Sequence, residues 1–134
     1  MKSCGSPLTL AAIGVLSAGC HSTALPGCVC TTLFAIIQVT VVDTTAAPLA
    51  GLSPAITLLR TSQSIVPDQT GVGGGRYNVI TDGEHSLIRP SGDTLRFVVT
   101  AGARSARADF AVDEPGSCAC HVNKVSGPDT LVLR

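Results

Sequence analysis

The sequence has few charged and few aromatic residues. Of 134 residues, 13% are charged and 3% are aromatic, and tryptophan is absent. Nine lysines and arginines balance nine aspartates and glutamates, so there is no basic field to hold a phosphate backbone and we expect no nucleic-acid partner. Few aromatic side chains also leave few anchors for an interface hot spot. An apolar fraction of 45% excludes a disordered chain, and the length fits one domain.

The amino-terminal region lacks an apolar run long enough to span a bilayer, which takes about 20 residues. Lys2 gives one positive charge, the mostly apolar run Leu8–Leu16 follows, and the small residues Ser17-Ala18-Gly19 precede Cys20. A charge, a short apolar run and small residues in this order are typical of an export signal. The sequence therefore predicts an exported protein without a permanent transmembrane anchor.

The end of this leader, Ser17-Ala18-Gly19-Cys20, resembles the lipobox of bacterial lipoproteins. The resemblance implies a signal peptide over residues 1–19, an acyl group such as palmitate on Cys20, and a lipidated tether over residues 20–27. It further implies anchoring to a membrane of the bacterial cell envelope. His21 after the cysteine is similar to the pattern of outer-membrane retention, facing the periplasm or the surface. The alternative is an ordinary secretory signal in which Cys20 has no special role.

Four further cysteines follow Cys20 and form two Cys-x-Cys pairs near the two ends of the mature chain. These are Cys28 with Cys30, and Cys118 with Cys120. An even number of cysteines in an exported domain predicts disulfides, and a ring closed within either pair would be strained, so bonds are expected between the pairs. If the two segments run antiparallel, Cys28 would meet Cys120 and Cys30 would meet Cys118. The connectivity itself stays open.

The same cysteines allow a competing interpretation as a metal site. Cys28, Cys30, Cys118 and Cys120, with His121 as a further ligand, would suit tetrahedral zinc. Zinc ligand pairs usually have two to four residues between the cysteines, however, and an oxidising compartment favours disulfides. We therefore expect no metal and no cofactor, and the alternative function is a periplasmic metal-binding protein.

Apolar and polar residues alternate in several short segments, and a period of two predicts strands. The predicted strands lie at 33–41, 55–60, 77–79, 95–100, 106–112, 118–125 and 131–133. The first two are expected to form a hairpin, the stretch 61–75 to be a polar loop, and Ala101-Gly102-Ala103 to be a tight turn. These elements predict an all-β fold, a seven-stranded antiparallel sandwich with Greek-key connections of the transthyretin or immunoglobulin type.

Four short motifs along these strands carry a further resemblance. They are Val39-Thr40-Val41-Val42-Asp43, Pro48-Leu49-Ala50-Gly51, Gly75-Arg76-Tyr77 and Cys120-His121-Val122. Their order is similar to that of the carboxypeptidase regulatory-like domain. The resemblance implies a transthyretin-like sandwich, which we assign to residues 28–134, and it does not imply peptidase activity.

Candidate chemistry is sparse in the remaining sequence. Asp82, Glu84 and His85 form a polar cluster that could bind a cation or act in acid and base catalysis, although three such residues in a turn are more often simply solvated. No serine, histidine and acid triad is evident, so we assign no catalytic residue and expect no enzyme. His121 is expected to form a hydrogen bond across the cysteine bridges.

These observations lead to one functional expectation. The protein is interpreted as a non-catalytic, lipid-anchored module of the cell envelope. Its loops would bind a protein or glycan partner, or the module would be structural, because binding residues usually lie on the loops of a rigid scaffold.

Overall fold

The computed structural model describes residues 27–134, which form strands and one short helical segment. The strands are β1 (Ile36–Val42), β2 (Ala55–Leu58), β3 (Gln63–Ile65), β4 (Arg76–Thr81), β5 (Asp93–Ala101), β6 (Arg104–Asp113), β7 (Asn123–Ser126) and β8 (Thr130–Val132). A 3₁₀ helix over Asp82–Leu87 follows β4. The leader over residues 1–19, Cys20 and most of the tether lie outside the described residues, and their assignment stays a prediction.

The strands form two sheets, which confirms the all-β, sandwich-like fold. One sheet has the order β4-β1-β8 and the other the order β3-β2-β5-β6-β7. Two details of the prediction are wrong, because eight strands are present in residues 27–134 instead of seven, and β8 lies parallel to β1. The additional strand is β3, which pairs antiparallel with β2 inside the stretch expected to be a loop.

The predicted hairpin of the first two strands is also wrong, because β1 and β2 belong to different sheets. After β1 the chain turns at Asp43, whose Oδ1 accepts hydrogen bonds from the backbone N–H groups of Thr45 and Ala47 at 2.8 and 3.0 Å. Leu49 then returns to β1 and donates its N–H to the carbonyl of Val41. The turn thus brings the chain back beside β1 before it crosses to the second sheet.

The core lies between the two sheets and is built from the predicted alternating residues. Alternate side chains of β1 are buried, with Ile37, Val39 and Val41 at most 6% exposed, whereas Leu33, which was expected on the same face, lies before β1 and is 78% exposed. From the second sheet, Phe97 is fully buried and its ring centroid lies 6.4 Å from that of Phe110. The other core side chains include those of Ile56, Leu58, Val79, Ile80, Leu95, Val99, Val112 and Leu133.

The longest regular pairing is the hairpin of β5 and β6, with nine consecutive residue pairs from Asp93–Val112 to Ala101–Arg104. Gly102 in its turn has a φ of 62°, a conformation that glycine adopts without the steric cost of a Cβ atom. This hairpin confirms the predicted turn at Ala101-Gly102-Ala103. Within residues 27–134, no helix is long and apolar enough to cross a membrane.

Candidate functional site

Two disulfides join the segment before β1 to the segment before β7. Cys28 is bonded to Cys118 and Cys30 to Cys120, with Cα–Cα distances of 5.3 and 5.5 Å. The expectation that bonds form between the two pairs is therefore confirmed. The connectivity, which the sequence left open, is not the one that antiparallel segments would give, because the first cysteine of one pair meets the first of the other.

The predicted strand over residues 118–125 included Cys118 and Cys120. The residues around both pairs are not in strands, and β7 begins only at Asn123. Ala119, between Cys118 and Cys120, has a φ of 44°, in the left-handed region that residues with a Cβ atom rarely adopt. An irregular backbone of this kind is not bound by the register of a ladder, so it allows the observed pairing.

Asp82 binds the two disulfide-linked segments to each other. Its Oδ2 accepts a hydrogen bond from the N–H of Ala35 at 2.8 Å, and its Oδ1 accepts one from the N–H of Val122 at 2.9 Å. The residue is only 9% exposed, and burial alone would raise its pKa. Hydrogen bonds from Ala35, His121 and Val122 outweigh burial and lower the pKa of Asp82 below its usual value. Asp82 is therefore a buried carboxylate with a structural role. We use the name clamp for residues 28–35 and 114–122 together with Asp82.

His121 adds a second layer to this network. Its Nδ1 lies 2.6 Å from Oδ2 of Asp82, and its Nε2 lies 2.9 Å from the hydroxyl of Thr31. Because a carboxylate only accepts, Nδ1 is the donor, and in a neutral ring Nε2 accepts from Thr31. The prediction that His121 forms a hydrogen bond across the bridges agrees with these contacts. Thr31 carried no signal in the sequence, and Asp82 was singled out there only as part of the polar cluster with Glu84 and His85.

The three residues of the predicted polar cluster do not face a common point. Asp82 is engaged in the clamp, whereas Glu84 accepts hydrogen bonds from the N–H and hydroxyl of Thr81 at 3.0 and 2.8 Å. Thr81 in turn accepts from the N–H of Gly83, so Thr81 and Glu84 form a capping box at the start of the 3₁₀ helix. His85 points to a different carboxylate, that of Glu114.

Glu114 is a buried carboxyl that the sequence analysis missed. It is 4% exposed, and its Oε1 has no hydrogen-bond partner within residues 27–134. The nearest base is Nδ1 of His85, at 3.4 Å. Burial raises the pKa of Glu114, and the charge of Asp82 adds to this, while His85 opposes it. Because the residue follows Asp113 at the end of a strand and belongs to no motif, its sequence context gave no sign of burial.

Three of the four motifs quoted for the family resemblance meet at one place in the fold, whereas Cys120-His121-Val122 lies in the clamp. Val41 donates its N–H to the carbonyl of Gly75 at 2.8 Å, and the hydroxyl of Tyr77 donates to the carbonyl of Leu49 at 2.6 Å. Gly75 has a φ of 75°, and a Cβ atom there would lie 2.8 Å from Cβ of Pro48. Glycine is therefore required at this position for both conformation and space.

Two surface cavities lie away from the clamp. One, of about 600 Å³, is lined by Arg60, Arg89 and Asp93 among others, and the other, of about 430 Å³, is lined by β3 and the start of β2. Asp93 is not free to bind a ligand, because it accepts hydrogen bonds from Nε and Nη2 of Arg60 at 2.7 and 3.1 Å. These bonds lower the pKa of Asp93. The charged groups of Arg60 and Asp93 at the larger cavity are thus bound to each other.

Within residues 27–134, no group of three or more histidine, cysteine, aspartate or glutamate side chains is arranged to hold a metal ion. All four cysteines of the metal alternative are in disulfides, and a cysteine ligates zinc only as a free thiolate. The zinc alternative therefore requires both bonds to be reduced. Comparisons of the chain with protein-family models, curated proteins and solved structures found no match.

Proposed function

We propose that the protein is a non-catalytic, lipid-anchored module of the bacterial cell envelope. It is exported, cleaved before Cys20, acylated there, and held at the outer membrane of the envelope. Its sandwich then presents loops to a protein or glycan partner or acts as a structural element.

The observation that carries this proposal is the position of the disulfides. Cys28 and Cys30 begin the described domain, eight and ten residues after the proposed acylation site. Both are bonded to a segment that lies 90 residues further along the chain. A force on the lipid anchor would therefore act on both ends of the domain, instead of pulling β1 out of its sheet. This arrangement suits a domain tethered by its amino terminus.

The polar network of the clamp supports a non-catalytic role. Thr31, His121 and Asp82 follow the order hydroxyl, imidazole and carboxylate that hydrolases with a hydroxyl nucleophile use. Neither of the two cavities is lined by any of these three residues, and a catalytic site needs a place for substrate. Asp82 also binds two backbone N–H groups that join separate segments. We therefore assign the network to holding the clamp together.

The contacts among the motif residues support membership of the carboxypeptidase regulatory-like family as part of this proposal. Val41, Gly75, Tyr77 and Leu49 contact each other through backbone and hydroxyl groups, so three of the four motifs are structurally connected. A domain of that family is a sandwich without peptidase chemistry, which agrees with the role proposed here.

Intact mass of the protein isolated from its native envelope fraction tests the proposal. We expect a chain that begins at Cys20, carries acyl groups, and gains four hydrogens on reduction, two for each disulfide. The Cys20→Ser variant should lose both the acyl groups and the membrane association. Cys4→Ser is the matched control, because Cys4 lies in the predicted leader and its replacement should change neither.

Three results would contradict the proposal. A mature chain with an unmodified Cys20 would remove the lipid anchor. Free thiols with bound zinc, measured in protein isolated without chelator, would favour the metal-binding alternative. Labelling by a fluorophosphonate probe that is lost in Thr31→Val, with the fold intact by circular dichroism, would show that the Thr31 network is catalytic.

A further inference from the structure

Exposed apolar side chains are concentrated in one short segment that covers the amino-terminal part of the clamp and the first residue of β1. Of the seven large apolar side chains that are exposed in residues 27–134, four lie between positions 29 and 36. They are Val29, Leu33, Phe34 and Ile36, with exposures of 88, 78, 61 and 48%. The other three, Val66, Val125 and Val132, are distant from them in the sequence. Clustered exposed apolar residues indicate an interaction surface, whereas scattered ones do not.

The fold fixes this apolar segment (residues 29–36) at several points. Val29 lies between two cysteines that are both in disulfides. Leu33 and Phe34 lie between these bonds and Ala35, whose N–H is held by Asp82, and Ile36 is paired with Thr81 in the sheet. A surface that is already ordered binds with a smaller loss of conformational entropy than a free segment does. The clamp therefore presents these side chains in a fixed arrangement.

The charge pattern indicates what this surface contacts. Between Lys2 and Asp43 the sequence contains no lysine, arginine, aspartate or glutamate. Leucine and phenylalanine transfer favourably into a bilayer, whereas charged side chains are strongly unfavourable there. An uncharged segment with exposed Leu33 and Phe34 has the chemistry of a surface that lies in the interface between lipid headgroups and acyl chains.

The length of the tether limits how far this segment can lie from a membrane. Seven residues lie between Cys20 and Cys28, and the eight residue-to-residue steps span at most about 28 Å when fully extended. If Cys20 carries the acyl groups, as the proposed function states, the apolar segment lies close to the acylation site along the chain. Acyl chains and an apolar protein surface then act as two membrane-binding signals on one short stretch.

We propose that the apolar segment contacts the lipid bilayer in which the acylated Cys20 is inserted, with Leu33 and Phe34 reaching the boundary between headgroups and acyl chains. This contact adds a second attachment to the membrane and thereby orients the sandwich. The proposal rests on the lipid anchor of the proposed function.

A single tryptophan can report this contact, since the sequence contains none. The acylated Phe34→Trp protein is reconstituted into vesicles of phosphatidylethanolamine and phosphatidylglycerol, with or without brominated acyl chains. We expect a blue-shifted emission and about twofold quenching by the brominated lipid, because bromine quenches only at the depth of the acyl chains. Leu33→Trp should behave in the same way.

The acylated Val66→Trp protein is the matched control. Val66 is 84% exposed and lies directly after β3, outside the apolar segment. A tryptophan at this position should therefore emit as in water and show no quenching. Far-ultraviolet circular dichroism checks that each variant keeps its β-structure. Equal emission and quenching of the Phe34→Trp and Val66→Trp proteins would overturn the proposal. A blue shift without quenching would also overturn it, since a second copy or another protein would then cover the segment.

Partition of the same samples into a nonionic detergent phase measures whether the protein carries its acyl chains. It therefore distinguishes the bilayer contact of the apolar segment from the lipid anchor on which that proposal rests. Absence of acyl chains would overturn both. An acylated Phe34→Trp protein that partitions into detergent but is not quenched by brominated lipid would overturn the bilayer contact and leave the lipid anchor intact.

Discussion

The sandwich and the clamp are stabilised in different ways. In the hairpin of β5 and β6, nine residue pairs follow one another and Phe97 and Phe110 are fully buried. In the clamp, residues 28–35 and 114–122 form no strand, and two disulfides and the carboxylate of Asp82 hold them. Hydrophobic burial is non-directional and is sufficient to stabilise the regular sandwich. The clamp is irregular and leaves apolar side chains exposed, so it requires disulfides and hydrogen bonds to hold its backbone.

This difference follows from what each region contributes to the core. The alternating strands of the sandwich place every second side chain between the sheets, and fully burying a phenylalanine contributes about 1.5–3 kcal/mol. Leu33 and Phe34 are largely exposed and contribute little burial to fix their backbone. Two other effects replace that contribution. The disulfides reduce the conformational entropy of the unfolded chain, and the buried carboxylate of Asp82 accepts hydrogen bonds from the backbone.

Reduction of both disulfides should have the largest effect and should separate the two regions. Each bond spans 90 residues, and the two close nearly the same loop, so their combined loss should lower the free energy of unfolding by about 4–5 kcal/mol. We expect the melting temperature to fall substantially, while the β-type circular dichroism at room temperature is retained by the sandwich.

The melting curve with and without reductant measures this effect. Cys28→Ser combined with Cys118→Ser removes one bond and should lower stability by much less than full reduction, because the second bond still closes the loop. An unchanged melting temperature after reduction would show that the clamp contributes nothing to stability, and loss of β-structure at room temperature would show that the sandwich depends on it.

Asp82→Asn should have an intermediate effect. An amide has one accepting oxygen, so its NH₂ group would face an N–H of Ala35 or Val122 or the ring of His121. A buried donor without an acceptor costs about 1–3 kcal/mol, and we expect a loss of about 2 kcal/mol of unfolding free energy at pH 7. Urea denaturation measures the change.

Asp109→Asn is the matched control for Asp82→Asn. Asp109 pairs with Arg96 through two hydrogen bonds on the surface, and exposed ion pairs contribute about 0–1 kcal/mol. The pKa of Asp82 is lowered in the fold from a usual value of 3.8, so its stabilisation is present above that value and lost as the pH falls further. Two results would contradict a special role for Asp82. One is a loss of unfolding free energy for Asp82→Asn that is no larger than the loss for Asp109→Asn, and the other is a loss for Asp82→Asn that does not decrease below pH 3.8.

Glu114→Gln should have the smallest effect and the opposite sign. Burial raises the pKa of Glu114 above its usual value of 4.5, so the charged form destabilises the fold at neutral pH and stability is gained as the pH falls toward 4.5. Glutamine removes the charge at similar shape, and we expect a gain of about 1 kcal/mol at pH 7.

Thermal unfolding of the wild type and of Glu114→Gln from pH 5 to pH 8 measures this gain. The difference should shrink as the pH is lowered, because the raised pKa makes Glu114 take up its proton at a higher pH than an ordinary glutamate does. A variant that is less stable than the wild type at pH 7 would indicate that the pair of Glu114 with His85 stabilises the clamp, and His85→Ala should then have the same effect as Glu114→Gln.

The strands of the sandwich could be predicted because each follows a local pattern. Val39 and Val41, or Leu95 and Phe97, alternate with polar neighbours, and a period of two is enough to define a strand and its buried face. Strand β3 escaped prediction because Gln63 and Ser64 are exposed on an edge strand, where the pairing of backbone groups and not a hydrophobic pattern defines the strand.

The candidate site could be predicted only in part, because its contacts join residues far apart in the chain. The cysteines and His121 were recognisable from their spacing. Thr31 and Glu114 were not, since nothing local predicts a hydrogen bond to a histidine 90 positions away or the burial of an acidic residue. Asp82 was recognised as polar and notable, but was grouped with Glu84 and His85, which have other partners.

The sequence by itself determined the β-fold, the core residues and the number of cysteines available for bridging, because hydrophobic period and residue chemistry are local properties. The tertiary structure alone decided that β1 and β2 belong to different sheets, that the disulfides join Cys28 to Cys118 and Cys30 to Cys120, and that Leu33 is exposed. The physical reason is that sheet order, disulfide connectivity and exposure depend on how distant segments pack, and each local pattern is compatible with more than one such packing.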